Sequence, residues 1–175
     1  QGRARFVSPT RVAVERDDGR TEEVDFDAAI LASGSRPTAI PLFDIGSDKI
    51  LDSTGALELR EIPKRLLVVG GGYIGLEMTT VYAALGSTVS VVEMMPALLP
   101  GADSDLVTPL ARNIKEITNK VMLKTKVIGV AELDDGLQVS FEDRDGKTFD
   151  EIYDTVLVSI GRKPNSGDLG RETTR

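Results

Sequence analysis

The chain has 175 residues, 41% of them hydrophobic, enough for one complete domain and part of another. Its net charge of −7 argues against non-specific binding to nucleic acid or an anionic membrane, and no apolar run approaches the roughly 18 residues of a membrane span. With no Cys and no His, these residues exclude disulfides, thiol redox chemistry, Cys/His metal sites and histidine acid–base catalysis.

The chain opens at Gln1 rather than at Met and shows no signal peptide, so it reads as a piece of a longer protein. Its first patterned stretch, DDGRTEEVDFDAAILASGSRP at 17–37, returns later in the chain. It lies without a gap over RDGKTFDEIYDTVLVSIGRKP at 144–164, with Gly19 on Gly146, Gly34 on Gly161 and Pro37 on Pro164, each at an offset of 127 residues. Chance similarity between two hairpin-plus-strand segments is one reading. Duplication is the better one: the second copy closes a domain, and the first closes a similar domain whose own glycine turn lies before Gln1. The division that follows is the tail of a first domain over residues 1–60 and nearly all of a second over 61–165.

Residues 65–69, RLLVV, are a short apolar run suited to a strand buried on both faces. Gly70, Gly71 and Gly72 break it. Residues 73–85 read as a helix with Ile74, Met78, Val81 and Leu85 as one apolar stripe, stopped by Gly86. Residues 88–93 form a second β-branched strand. Strand, helix and strand with short joints make a βαβ unit, hence a parallel sheet with a right-handed crossover. Another helix is predicted over 103–119, capped by Asp103 or Ser104, and a third strand over 121–123. Residues 126–133, 137–142 and 148–153, with turn signals at 134–136 and 145–146, read as an antiparallel meander. It leads to a last buried strand over 155–161. The fold class is α/β: a Rossmann-like parallel sheet with helices on one side and a meander on the other.

Gly70, Gly72 and Gly75 spell G-x-G-x-x-G between a strand and a helix, the context that spacing requires. Gly70 permits the tight turn, Gly72 lets a pyrophosphate approach the backbone, and Gly75 lets helix and strand pack closely. The free N–H groups and the helix dipole face the phosphates. The alternative is a glycine turn used only for packing. Glu93 ends the second strand, where an acid accepts hydrogen bonds from the adenosine ribose hydroxyls; a 2′-phosphate would want Arg or Lys, and Met94, Met95 and Pro96 follow instead. NAD is therefore favoured over NADP, unless Glu93 is merely a solvent-facing strand end.

LLVVGGGYIGLEM, SVVEMMPALLPGADSDL and TVLVSIGRKPN, with ILASGSRP and DSTGALEL upstream, resemble the flavoprotein disulfide reductases. Within them the resemblance is greatest to the dihydrolipoamide dehydrogenases of bacterial and mitochondrial 2-oxo-acid dehydrogenase complexes. It implies an FAD domain into which a similar NAD domain is inserted, which also accounts for the repeat: residues 1–60 would be the C-terminal part of the split FAD domain, 61–165 the NAD domain, and 166–175 the start of the return segment. Carried over by position, it implies that Gly70, Gly71, Gly72, Tyr73, Ile74, Gly75, Leu76 and Glu77 wrap the NAD pyrophosphate and approach the nicotinamide. Glu93 would hold the adenosine ribose, Val127 would pack on adenine, and Gly161 would lie near the nicotinamide. Ser33, Gly34 and Ser35 would contact FAD, and Gly2 its adenine. Tyr73 and Glu77 sit four apart on one helix face; for Glu77, an acid favoured early in a helix by the dipole is an equal alternative.

The resemblance further implies a cytoplasmic homodimer that oxidises dihydrolipoamide carried on an acyltransferase, through a disulfide and FAD to NAD, with no nucleic acid or membrane partner. The family's FAD glycine turn, redox Cys pair, late Gly-Asp motif and His-Glu base do not occur in these residues. No catalytic residue or metal ligand is therefore assigned, and these residues alone are expected to be inactive and to hold FAD poorly. Other readings stay open: a mercuric or glutathione reductase, a transhydrogenase, an NADH oxidase or peroxidase, or a non-enzymatic NAD-sensing domain.

Overall fold

The computed structural model describes residues 2–174. It divides into two compact units: one holds residues up to Arg36 together with those from Lys163 onward, and the other runs from Pro37 to Arg162. The sequence division placed the first boundary after residue 60. The difference arises because residues 37–60 are tied to the second unit by a sheet strand, a short helix and a buried tyrosine hydrogen bond, described below.

In the first unit β1 (Gly2–Ser8), β2 (Arg11–Arg16) and β3 (Thr21–Asp25) form an antiparallel sheet in that order. Phe6 is its buried anchor, edge-on to Phe26 at 5.7 Å. The Phe6 N–H donates to the Leu169 carbonyl at 2.8 Å, which ties the returning segment to β1. A three-residue strand, β4 (Ser35–Pro37), ends at the unit boundary.

The second unit begins with a 3-10 turn (Pro41–Phe43), β5 (Ile50–Leu51) and α1 (Ser53–Leu57). The Asp52 carboxylate caps α1 by accepting from the Thr54 and Gly55 N–H groups at 2.8 and 2.9 Å. Then come β6 (Arg65–Val69), α2 (Tyr73–Ala84), β7 (Thr88–Glu93), α3 (Ser104–Ile117) and β8 (Lys120–Leu123). The meander β9 (Lys126–Leu133), β10 (Gly136–Glu142) and β11 (Thr148–Tyr153) leads to β12 (Thr155–Val158), after which the chain re-enters the first unit through β13 (Arg162–Pro164), the partner of β4.

The parallel sheet has the order β5-β12-β6-β7-β8. Side chains alternate across it, so one apolar strand serves two cores. Leu66, Val68, Val89, Val91 and Leu157 face the helices. Leu67, Val69, Val92, Val156 and Val158 face Leu137, Val139, Phe141 and Tyr153 of the meander. The result is three layers: helices, parallel sheet, meander. At the far end of the sheet, the Arg65 guanidinium binds the Asp154 carboxylate at 2.6 Å and the Asp135 carbonyl at 2.9 Å.

The stripe expected on α2 holds in its first half and is corrected in its second. Met78 is buried and Ile74 half-buried, but Val81 and Leu85 are 37% and 49% exposed, while Gly75, Leu76, Thr79 and Tyr82 are buried. That face is small and partly polar, because the helix approaches β6 closely at Gly75. Its polar groups are satisfied locally: the Thr79 hydroxyl donates to the Gly75 carbonyl and the Tyr82 hydroxyl to the Ala56 carbonyl, each at 2.8 Å.

The repeat is visible in both units. Gly19 and Gly146 have φ of 81° and 79°. The Arg16 N–H donates to the Arg20 carbonyl at 2.8 Å, as the Asp143 N–H does to the Lys147 carbonyl at 3.0 Å, 127 residues on. The copies part after the meander. Leu157 is fully buried in β12, but its counterpart Ile30 is 95% exposed, and residues 26–34 form no strand. A parallel strand needs ladder neighbours on its sheet, and among the described residues the first unit has only its antiparallel meander and the short pair β4–β13.

Candidate functional site

Within the second unit β6 is the point where the strand order reverses, with β7 on one side and β12 on the other. In open α/β sheets the carboxyl ends of strands at such a point frame a crevice. Here they open onto a cleft of about 710 Å3 lined by Val69, Gly70, Gly72, Tyr73, Ile74, Val92, Glu93, Val127, Val158 and Gly161, among others.

Each glycine of the turn has a separate cause. Gly70 has φ of +109°, and a Cβ there would lie 2.5 Å from the Ser159 carbonyl oxygen. At Gly75 a Cβ would overlap the Gly70 carbonyl and sit 2.6 Å from Ser159 Oγ. At Gly72, which has φ of −77°, nothing lies within 4 Å of a Cβ. Only at Gly72, then, is the space a side chain would take left open on the cleft side. Gly72 is also the N-cap of α2, and no side chain caps the helix. The first intrahelical bond runs from the Leu76 N–H to the Gly72 carbonyl at 3.0 Å, so the N–H groups ahead of it lack an upstream helical carbonyl. An uncapped helix start at the mouth of a cleft favours negative charge there.

Glu93 is only 9% exposed. Its Oε2 accepts from the Gly71 N–H and its Oε1 from the Met95 N–H, both at 2.7 Å. The alternative of a solvent-facing strand end does not hold. Ser159, which the sequence reading passed over, holds the turn from the other side: its N–H and Oγ both donate to the Val69 carbonyl, at 2.8 and 3.0 Å.

Of the residues singled out from sequence, Gly70, Gly72, Tyr73, Ile74, Glu93, Val127 and Gly161 come together in the cleft. Tyr73 is 64% exposed at its edge. Gly71, Gly75 and Leu76 are buried behind it, and Glu77 is exposed on α2 without lining it. Gly2, Ser33, Gly34 and Ser35 belong to the first unit, where Ser33 and Gly34 are exposed and the Asn165 N–H donates to the Gly34 carbonyl at 2.9 Å. The cleft also takes in Ile40, Phe43, Met94, Met95, Thr125, Lys126 and Arg162. The Lys126 ammonium is paired with Glu142 at 2.8 Å and the Arg162 guanidinium reaches Ser53 Oγ at 3.3 Å. The positions of Met94 and Met95 directly after Glu93 could have flagged them; residues 40–43 carried no sequence signal. Among the described residues no group of three or more Asp, Glu, His or Cys could hold a metal, and no helix is long and apolar enough to cross a membrane.

The family described as Pyridine nucleotide-disulphide oxidoreductase matches residues 2–174. A dihydrolipoyl dehydrogenase of Vibrio cholerae is 47% identical over 171 residues, 98% of this chain and 36% of that protein. One of Haemophilus influenzae is 49% identical over 168 residues, 94% of this chain and 34% of that protein. Among solved structures, the Cu(II) complex of the HOCl-induced flavoprotein disulfide reductase RclA from Escherichia coli superposes with a TM-score of 0.82 at 27% identity, covering 98% of this chain and 38% of that one. The chain thus spans about a third of the length of the curated relatives it matches.

Proposed function

Because the chain belongs to the pyridine nucleotide-disulphide oxidoreductase family, we propose that its second unit holds the nicotinamide dinucleotide of a dihydrolipoyl dehydrogenase, and that this dinucleotide is NAD. The observation that carries the reading is the open space at Gly72, on an uncapped helix start, inside the cleft at the strand-order reversal. The N–H groups at residues 72–74 would take the pyrophosphate. Glu93 keeps lone pairs beyond the two already used, and these would accept from the adenosine ribose. Val127 and the two exposed methionines after Glu93 offer apolar surface for adenine. Gly161 has φ of +118° with nothing within 4 Å of a Cβ, which suits close approach of the nicotinamide end. When bound, NAD accepts a hydride from reduced flavin; these residues bind it, orient it and exclude water.

In the same reading FAD is the second cofactor, with Gly2, Ser33, Gly34 and Ser35 contributing to its site. The substrate of the whole protein is dihydrolipoamide carried on the acyltransferase of a 2-oxo-acid dehydrogenase complex, and the whole protein is a homodimer. The names of the relatives at 47% and 49% identity support the choice of dihydrolipoamide.

Two measurements test it. Equilibrium titration of this chain should give measurable NADH affinity, with NADPH weaker by about tenfold to a hundredfold, the 1–3 kcal/mol that remains of a charge repulsion beside Glu93 after solvent screening. In the whole protein dihydrolipoamide should reduce NAD, and reduced glutathione should not. Equal binding of both nucleotides would sink the NAD assignment, and a preference for glutathione would sink the substrate.

A further inference from the structure

Gly71 is held through both of its flanking peptides. Its N–H donates to Glu93 Oε2 at 2.7 Å, and its carbonyl accepts from the Leu99 N–H at 2.9 Å. A Cβ on it would sit 2.6 Å from Leu98 Cδ2 and 3.2 Å from the Cβ and Cγ of Glu93. The middle N–H of the glycine turn is therefore spent on Glu93. The second Glu93 oxygen takes the Met95 N–H, and the Glu93 carbonyl accepts from the Thr125 N–H at 3.2 Å. One carboxylate thus joins the glycine turn to the loop after β7.

From this geometry we infer that Glu93 is a positioning residue for the pyrophosphate as well as a ribose acceptor: it fixes the Gly70–Gly71 peptide, as Leu99 fixes the next one, so that the N–H groups at residues 72–74 present themselves to the cleft. The inference rests on the dinucleotide reading for its ligand. A hydrogen bond to a charged acceptor is about twice as strong as a neutral one and shorter, so a carboxylate here orients the peptide more firmly than an amide would. In Glu93→Gln one of the two N–H groups loses its acceptor and meets an NH2 donor instead. The Gly70–Gly71 peptide then keeps a weaker, neutral acceptor or none, while the Gly71 carbonyl stays bound to the Leu99 N–H, and the N–H groups that follow lose part of their aim. That loss has nothing to do with the ribose hydroxyls.

The test separates the two roles by ligand. NADH and the analogue lacking both hydroxyls of the adenosine ribose are titrated into the wild-type chain and into Glu93→Gln, with far-UV circular dichroism and thermal unfolding checking the fold. Ribose recognition alone weakens NADH in the variant and leaves the analogue untouched. Positioning weakens both, by about tenfold or more, the loss of one charge-assisted bond. A second measurement needs no variant: the Gly71 amide of the nucleotide-free wild type should resist hydrogen exchange while the Gly72 amide exchanges fast. Analogue affinity unchanged by Glu93→Gln, or a Gly71 amide that exchanges as fast as that of Gly72, overturns the inference. If the wild type binds neither nucleotide, the dinucleotide reading fails and takes the inference with it. That failure is recognisable because the Gly71 amide would still be protected.

Discussion

Replacing Gly72 by alanine separates binding from folding. A methyl group at this position meets nothing within 4 Å, and φ of −77° is open to any residue. Two small effects on the fold oppose each other. Alanine is a poorer N-cap than glycine by roughly 0.5 kcal/mol, and it lowers the entropy of the unfolded chain by about 0.4–1 kcal/mol. The net change in stability should therefore lie within about 0.5 kcal/mol of zero. The ligand feels the methyl directly, because it fills the space through which the pyrophosphate reaches the N–H groups at residues 72–74. Losing one hydrogen bond to a charged group costs about 1.5–3 kcal/mol, or roughly tenfold to a hundredfold in affinity. NADH fluorescence titration paired with thermal unfolding reads both sides. Gly72→Ala that unfolds like wild type and binds NADH equally well would refute the argument that the open space is there for the ligand.

Gly75→Ala should do the opposite, lowering stability in urea by about 1–3 kcal/mol through overpacking against the Gly70 carbonyl and Ser159 Oγ. Tyr82→Phe should cost about 1–3 kcal/mol in the same assay, since it strands the buried Ala56 carbonyl. Asp154 links stability to pH. Burial works to raise its carboxyl, but the side-chain and backbone hydrogen bonds of Arg65 outweigh it, and the net direction is below the ordinary value of 3.8. With the folded value below the unfolded one, its contribution is present above the ordinary value and is lost as pH falls through the folded one. Thermal melts from neutral to acid pH should show that loss in wild type, and Asp154→Asn should flatten it.

The strands of the second unit were legible because each is a short apolar or alternating run between glycine or aspartate turns, and observed ends such as 65–69, 88–93 and 148–153 coincide with the expected ones. The α2 stripe was misread because counting apolar residues gives no weight to a glycine, a threonine and a tyrosine hydroxyl, the groups that face β6 and α1. The strand expected over the end of the first repeat copy is absent for a different reason. AILASG at 29–34 has four apolar residues of six, as VLVSIG at 156–161 does, but burial belongs to the sheet that receives a strand, not to the strand. At the site, G-x-G-x-x-G pointed to the turn and to the separate parts of Gly70, Gly72 and Gly75 in it, but not to the packing of Gly71 against Leu98 and Glu93. Nor could it show the Ser159 clamp or the burial of Glu93, which depend on chain segments far apart in sequence.

Where a dinucleotide binds decides between these readings of the cleft. A crystal structure of this chain grown with NAD is expected to place the pyrophosphate against the N–H groups at residues 72–74, the adenosine ribose at Glu93 and the nicotinamide toward Gly161. NAD bound outside this cleft, or seated in it with its pyrophosphate away from the start of α2, would contradict it.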